Sequence, residues 1–325
     1  ILMIVLMFQR IKKVWLYFKY FKNAKKIWKW PRKSDVLIFD VTGIETLIEY
    51  LGSWNPEVLH VRNEYINMPV LLSSLFRRGK KLERYLDCFI GKVNPKLIVT
   101  FIDNSLLFYT ISQRHPSVKT MFIQNGTRSR HGDIFGVLEQ SSKEARRSMT
   151  VDFMMVHGRD IGNEYARYIK GKIISTGSYK NNLLQNDSIR QNDVVAFVSQ
   201  WNEDGIILND VFFSQDSFIK QTDNPIIKFL IKYVDKKNKK LMVILRNKKG
   251  DPRRKLEEAY FKELIGNNVV FLDPVGQYSS YKALDVAGVV VGVDSTLIYE
   301  ASARGTKAAI FSIRSSNLGL NGYTY

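Results

Sequence analysis

Short runs that are apolar on both faces recur along this chain, and each is followed by a longer amphipathic stretch. From Ser34 onward the runs are "VLIFDV" (36–41), "VLHVR" (58–62), "LIVTFI" (97–102), "TMFIQN" (120–125), "FMMVHG" (153–158) and "KIISTGS" (172–178). A strand that is apolar on both faces must be covered on both, which is the pattern of a parallel sheet flanked by helices. The polar tract "SYKNNLLQNDSIRQND" (178–193) then interrupts the series and marks a domain boundary.

A second series follows: "VVAFVSQ" (194–200), "LMVILRN" (241–247), "VVFLD" (269–273), "VVVGV" (289–293) and "AAIFSI" (308–313), with helical segments near 216–236, 252–266, 279–287 and 296–304. Strand followed by helix, repeated in two blocks, predicts an α/β protein with two Rossmann-like, doubly wound domains facing a cleft. One covers residues 34–185 and the other 186–325. With 45% hydrophobic residues over 325 positions, the chain has enough apolar material for two cores. No short-period repeat points to a solenoid. Cys88, the only cysteine, lies in the apolar context "YLDCFIG" and reads as a small core residue of a reducing compartment.

The net charge of +18 is concentrated at the start. Residues 1–33 carry Arg10, Lys12, Lys13, Lys19, Lys22, Lys25, Lys26, Lys29, Arg32 and Lys33, with no acid before Asp35. The apolar run "ILMIVLMF" is eight residues long, well short of the roughly 20 needed to span a bilayer. In the stretch that follows, Ile11, Val14, Trp15, Phe18, Phe21 and Trp28 recur at helical spacing opposite a lysine face, until Pro31. A basic amphipathic helix over 1–33 is therefore expected to lie on an anionic membrane surface, with about 1 kcal/mol gained per basic residue near it. Packing of its aromatic face on the body is the alternative. A signal peptide fits poorly, because the charges follow the apolar run. No nucleic-acid motif accompanies the charge, so no nucleic-acid partner is expected.

Chemistry should collect where strands end and helices begin. In "VVVGVDSTLIYEASARG" (289–305) a buried strand runs into Asp294-Ser295-Thr296 and then a helix, with Asp294 or Ser295 as N-cap. Free backbone N–H groups at a helix start, joined by two hydroxyls, suit a phosphate. Glu300 lies one turn beyond Thr296 on the same face, placed to accept bonds from ribose hydroxyls. The plain alternative is a capped helix with a solvated glutamate. Arg246, past "LMVIL", is placed to reach a phosphate or to be a surface residue. Ser279 and Ser280, at the next helix start, touch a base or cap the helix.

Three stretches carry a resemblance. "GVDSTLIYEASARGTKAAIFS" has the order strand, Ser-Thr, Leu, aromatic, Glu-Ala, Arg-Gly, strand. "DFMMVHGRDIGNEYARYIKGKIISTGSYKNN" (152–182) has strand, helix, strand and Gly-Ser-x-x-Asn-Asn, and "VTFIDNSLLFYTISQRHPSVKTMFIQNGTRS" (99–129) has strand, helix, strand and Gln-Asn-Gly. Together they resemble GT-B glycosyltransferases of bacterial surface-carbohydrate biosynthesis, the group that includes the β-Kdo transferases. The likeness covers roughly residues 34–315. It implies a GT-B fold and transfer of a sugar from a CMP- or UDP-linked donor to a lipid-linked or saccharide acceptor in lipopolysaccharide, O-antigen or capsule assembly. That group often shows a His-Pro where this chain has "RNKKGDP", a departure that counts against a CMP-linked donor.

Ser295, Thr296, Glu300, Arg246 and Ser279 then fall to the nucleotide. An inverting transferase also needs a general base beside the attacking hydroxyl, and the loop "QNGTRSRHGDIFG" (124–136) offers Asp133 and His131. Asp103 and Asp40, at strand ends, are rivals, and an aspartate in any of these places is more often a loop-capping residue than a base. His157 reads as a base or a core residue, and His60 and His115 stand alone. Neither a DxD motif nor a cluster of metal ligands is present, so no metal or other cofactor is expected, and helix dipoles with basic side chains would neutralise the leaving phosphate. The expected setting is the cytoplasmic face of the inner membrane. A sugar-nucleotide 2-epimerase, a CDP-alditol phosphotransferase and a non-catalytic nucleotide-sugar-binding scaffold are the competing readings. GT-B enzymes usually close with a helix that returns to the first domain; none is foreseen before the final "NLGLNGYTY".

Overall fold

The computed structural model describes residues 21–62, 64–130, 133–185, 191–208, 211–267, 269–272, 278–311 and 313. The chain divides into two units: Ile1–Asn125 with Ser142–Thr176, and Gly126–Ser141 with Gly177–Tyr325. The division falls between Thr176 and Gly177, earlier than the boundary at 185/186 read from the polar tract. The loop 126–141, assigned by sequence to the first domain, clusters with the second unit.

The strands of the first unit are β1 (Lys25–Ile27), β2 (Val36–Phe39), β3 (Glu57–Leu59), β4 (Tyr65–Asn67), β5 (Leu97–Thr100), β6 (Lys119–Ile123), β7 (Thr150–Val156) and β8 (Lys170–Ser175). Six of them form a parallel sheet in the order β3-β2-β5-β6-β7-β8. Its inner strands are as apolar as their sequence: Val36 to Phe39 are all buried, as are Ile98 and Val99. The order reverses between β2 and β5, the kind of switch point where open α/β sheets bind ligands.

The N-terminal expectation needs correcting where it can be seen. The helical stretch ends at Asn23, and Lys25–Ile27 is a strand paired in parallel with Tyr65–Asn67. Asn67 Nδ2 also donates to the Lys29 carbonyl at 2.8 Å, and Ala24 is buried. An exposed strand edge at β4 supplies partners that a helix could not use, so tertiary pairing overrides the local periodicity. The remainder of the proposed helix, residues 1–20, lies outside the described residues.

The second unit holds β9 (Gln191–Val198), β10 (Ile206–Leu208), β11 (Val211–Phe213), β12 (Lys240–Ile244), β13 (Val270–Phe271), β14 (Ala287–Gly292) and β15 (Lys307–Ile310). Its parallel sheet has the order β13-β12-β9-β14-β15, while β10 and β11 form a separate antiparallel pair. Central β9 is paired on both sides, Ala196 lying opposite Met242 and Val290, and Val194 to Val198 are all buried. Two apolar clusters cover its faces, one around Phe197, Ile227 and Phe261, the other around Ile244, Leu284 and Ile298. The helices fall at 221–237, 254–265, 279–286 and 296–303, close to the sequence expectation. This order reverses between β9 and β14.

Gly171, at the β7–β8 contact, has φ +155°, and a Cβ there would lie 1.7 Å from the Val151 carbonyl oxygen. Gly250 also has positive φ but open space around it. We expect Gly171→Ala to cost about 3 kcal/mol or more and Gly250→Ala about 1 kcal/mol. Urea midpoints of the two variants check this, and equal losses would show that the backbone clash is relieved.

Candidate nucleotide site

At the β9/β14 switch point of the second unit, β14 ends at Gly292 and the helix Thr296–Ala303 begins four residues later. Ser295 is its N-cap, with extended backbone (φ −66°, ψ 133°), and its hydroxyl accepts from the Leu297 N–H at 3.4 Å. The Thr296 hydroxyl is engaged differently. Its oxygen accepts from the Thr127 N–H at 2.8 Å, and the Thr127 hydroxyl approaches the Asp294 carbonyl at 3.4 Å. Gly126 permits this approach, since a Cβ there would stand 3.1 Å from the Thr296 Oγ1. Gly126-Thr127 and the "DST" segment therefore meet at the helix start.

One turn on, Glu300 is buried, at 8% exposure, so the reading of a solvated surface glutamate fails. Its Oε1 accepts from the Ser178 hydroxyl and, at 2.9 Å, from the Tyr281 hydroxyl. Among the described residues no bond falls on Oε2. Burial pushes the Glu300 carboxyl above its ordinary value, while the Ser178 and Tyr281 bonds pull the other way. Burial also raises the Tyr281 phenol, and the neighbouring Glu300 adds to that.

Arg304 closes the same helix. Its guanidinium grips Asp285 through Nε (2.7 Å) and Nη2 (2.5 Å), while Nη1 reaches Asn181 Oδ1 at 2.9 Å. Ser178 caps the short helix Tyr179–Asn182. The Gly-Ser-x-x-Asn-Asn tract is thus fastened to helix 296–303 twice, by Ser178–Glu300 and by Asn181–Arg304.

On neighbouring strands the carboxyl ends are tied by a second buried carboxylate. Glu257, in the helix Arg254–Ile265, has no exposed surface; Oε1 accepts from Ser199 Oγ (2.5 Å) and Arg246 N (2.9 Å), and Oε2 from Asn247 N (2.9 Å) and Nδ2 (2.8 Å). The Arg246 side chain remains exposed, its Nη1 donating to the Gln200 and Trp201 carbonyls at 3.4 and 3.5 Å. Trp201, after β9, is buried, and its indole Nε1 has no partner among the described residues. Ser279 opens helix Ser279–Val286 without capping it: the N-cap is Tyr278 in the left-handed region (φ 62°), with no side-chain cap bond.

The proposed bases are dispersed. Asp133 caps the helix Ile134–Gln140, accepting from Ile134 N at 2.7 Å and Ser129 N at 3.1 Å, the capping role held as its alternative. His131 lies outside the described residues. Asp103, at the β2/β5 switch of the first unit, is fully buried; Oδ2 accepts from the Tyr165 hydroxyl at 2.5 Å and Oδ1 from Asn125 N at 3.3 Å. Asp40 accepts from Thr42 N and Arg62 Nε, both at 2.8 Å. His115 has company after all, its Nε2 lying 2.9 Å from Asp87 Oδ1. Among the described residues no three His, Cys, Asp or Glu side chains could hold a metal ion, and no helix is long and apolar enough to cross a membrane.

Sequence reasoning missed Ser178, Asn181, Tyr281 and Glu257. The first two stood in a tract already singled out, but hydroxyl and amide types alone carry no sign of a distant partner.

Residues 121–325, more than half of the chain, match the family described as "putative O-antigen biosynthesis protein". The chain belongs to this family. All three segments that meet around helix 296–303 have residues within the matched region, and the family's description supports a role in surface carbohydrate biosynthesis. No curated protein matches the chain. Among solved structures, UDP-GlcNAc 2-epimerase from Methanocaldococcus jannaschii aligns at 11% identity over 88% of this chain and 86% of that one, with a TM-score of 0.49. Sucrose-phosphate synthase from Thermosynechococcus elongatus aligns at 12% over 87% and 83%, at 0.45. The H444N variant of the wall teichoic acid polymerase TagF aligns at 12% over 90% and 74%, at 0.49. Likenesses this weak decide no activity.

Two outcomes follow from the geometry. A carboxyl whose folded-state pKa is raised holds an extra proton when folded, so its contribution is complete below the unfolded value and is lost as pH rises through the folded one. Wild type should therefore lose stability relative to Glu300→Gln as pH rises above the ordinary glutamate value of 4.5. Urea midpoints of the two proteins across pH 4 to 8 measure the difference, and parallel curves would contradict it. Arg304→Met, which strands the Asp285 carboxylate, should cost about 3–5 kcal/mol, and Arg304→Lys less, because one charge stays but the fork is lost.

Proposed function

We propose that this protein is a glycosyltransferase of the GT-B type that moves a sugar from a nucleotide-sugar donor to a lipid-linked or saccharide acceptor during O-antigen or related surface-polysaccharide assembly. The observation that carries the reading is the convergence of Thr127, Thr296, Ser178 and Glu300 at a helix start beside the switch point of a parallel sheet. Membership of an O-antigen biosynthesis family supplies the setting.

In this reading the free N–H groups and hydroxyls at Ser295 and Thr296 receive the donor phosphates, with Arg246 adding positive charge and Ser279 lying near the base. Glu300 offers Oε2 to the ribose while Ser178 and Tyr281 fix Oε1, so the carboxylate is held in one orientation before the nucleotide arrives. Trp201 joins the candidates through its indole N–H, which has no partner among the described residues. Departure of the nucleotide leaves negative charge on the phosphate, and fixed N–H dipoles with Arg246 stabilise it without a metal.

The acceptor hydroxyl needs a base. We assign that role to Asp133 or to His131; Asp103, buried with both oxygens bonded, is the weaker choice. Asp133 would have to release one backbone N–H as the acceptor binds. The basic residues of 1–33 hold the enzyme peripherally at the anionic cytoplasmic face of the inner membrane, where lipid-linked acceptors lie.

Thermal shift with CMP-, UDP- and GDP-linked sugars tests the donor half. One class should raise the melting temperature of wild type by several degrees, and Thr296→Val should lose at least tenfold in affinity if its hydroxyl contacts phosphate. No shift with any donor sinks the reading. Turnover of a nucleotide-sugar without any acceptor would favour an epimerase instead.

A further inference from the structure

The first unit carries an apolar prong that neither sheet explains. The helix Met68–Leu75 starts soundly, with Asn67 capping Val70 N and Pro69 in the first turn. Its far end is different. Leu72, Leu75 and Phe76 are 51%, 59% and 91% exposed, and their spacing of three and four puts them on one helical face. Leu82, at the start of the helix Lys81–Val93, adds another side chain at 50% exposure. Large apolar side chains gathered at such exposure mark an interaction site more often than a solvated turn.

The turn is also built rather than loose. Arg84 reaches back across it, its Nη1 donating to the Arg77 carbonyl at 2.6 Å and approaching the Leu75 carbonyl at 3.5 Å. Gly79 takes φ +118° to let the chain reverse. The two helices therefore present Phe76 at a fixed tip.

Charge selects the partner. The sequence through the tip is "LLSSLFRRGKKLER" (71–84), which sets Arg77, Arg78, Lys80 and Lys81 directly behind Phe76. All four are exposed, and the one acid in that stretch, Glu83, lies 3.4 Å from Lys80. An apolar tip backed by a collar of cations fits the boundary between acyl chains and anionic headgroups, whereas a protein partner would have to bring matching carboxylates. We propose that residues 72–82 form a membrane-inserting prong, with Phe76, Leu75 and Leu72 entering an anionic phospholipid bilayer and the basic collar resting on its headgroups.

This deepens the peripheral-membrane part of the proposed function and rests on it, but uses different residues from 1–33. The test uses the full chain and vesicles of phosphatidylcholine with about one-third phosphatidylglycerol. Cys88 is buried, so a Phe76→Cys variant can be labelled at the tip with an environment-sensitive fluorophore. Emission should rise and shift to the blue on adding these vesicles and stay unchanged with pure phosphatidylcholine. Leu75→Ala/Phe76→Ala should weaken co-sedimentation at least tenfold, from the transfer energy of a large apolar side chain. Removing Arg77, Arg78 and Lys81 together should weaken it about a hundredfold, roughly fivefold per cation.

If wild type binds these vesicles but the probe stays dark and the double variant co-sediments unchanged, the prong is refuted while the membrane reading stands. If wild type does not bind at all, both fail. A double variant that dissociates an oligomer in sedimentation velocity, with vesicle binding unaltered, identifies a second copy as the occupant and overturns the proposal.

Discussion

Helix 296–303 is pinned at three points, and the candidate site depends on that pinning. Thr296 meets Thr127 at the first turn, Glu300 meets Ser178 and Tyr281 one turn later, and Arg304 grips Asp285 and Asn181 at the end. A helix start can hold an anion only if its N–H groups do not move as charge arrives, since electrostatic stabilisation is strongest when nothing needs to reorganise. The two ionisable groups of the pinning act differently. Arg304 is matched by a carboxylate and an amide, whereas Glu300 has neutral partners only among its hydrogen bonds, and burial therefore works against its charge.

The same device recurs on the other side of β9. Glu257 has four bonds to the ends of β9 and β12, holding Ser199, Arg246 and Asn247 at fixed places. Glu257 is acceptable in the interior because both of its oxygens are bonded, and it converts loose strand ends into a rigid rim. Arg246 gains from this: its backbone is fastened while its guanidinium stays exposed.

In the first unit the corresponding rim is quieter. Asp103 and Asp40 end the two strands at the switch point, yet both are spent on bonds within the unit, Asp103 with Tyr165 and Asn125, Asp40 with Thr42 and Arg62. The more distinctive chemistry of this unit lies in the exposed turn behind Phe76.

The sequence by itself determined the strands of both parallel sheets and the helices of the second, because a strand covered on both faces must be apolar throughout and its successor helix must be amphipathic. It also marked Ser295, Thr296 and Glu300, since a hydroxyl cap and a residue four positions on share a helix face whatever the fold. Tertiary structure decided the rest. That Lys25–Ile27 is a strand depended on a free edge at β4, which no local period records. That loop 126–141 sides with the second unit depended on Thr127 finding Thr296, 169 positions away. That Glu300 is bonded instead of solvated depended on Ser178, 122 positions before it. Hydrogen-bond partners so distant in sequence are set by chain path, and chain path is fixed by the packing of the whole sheet.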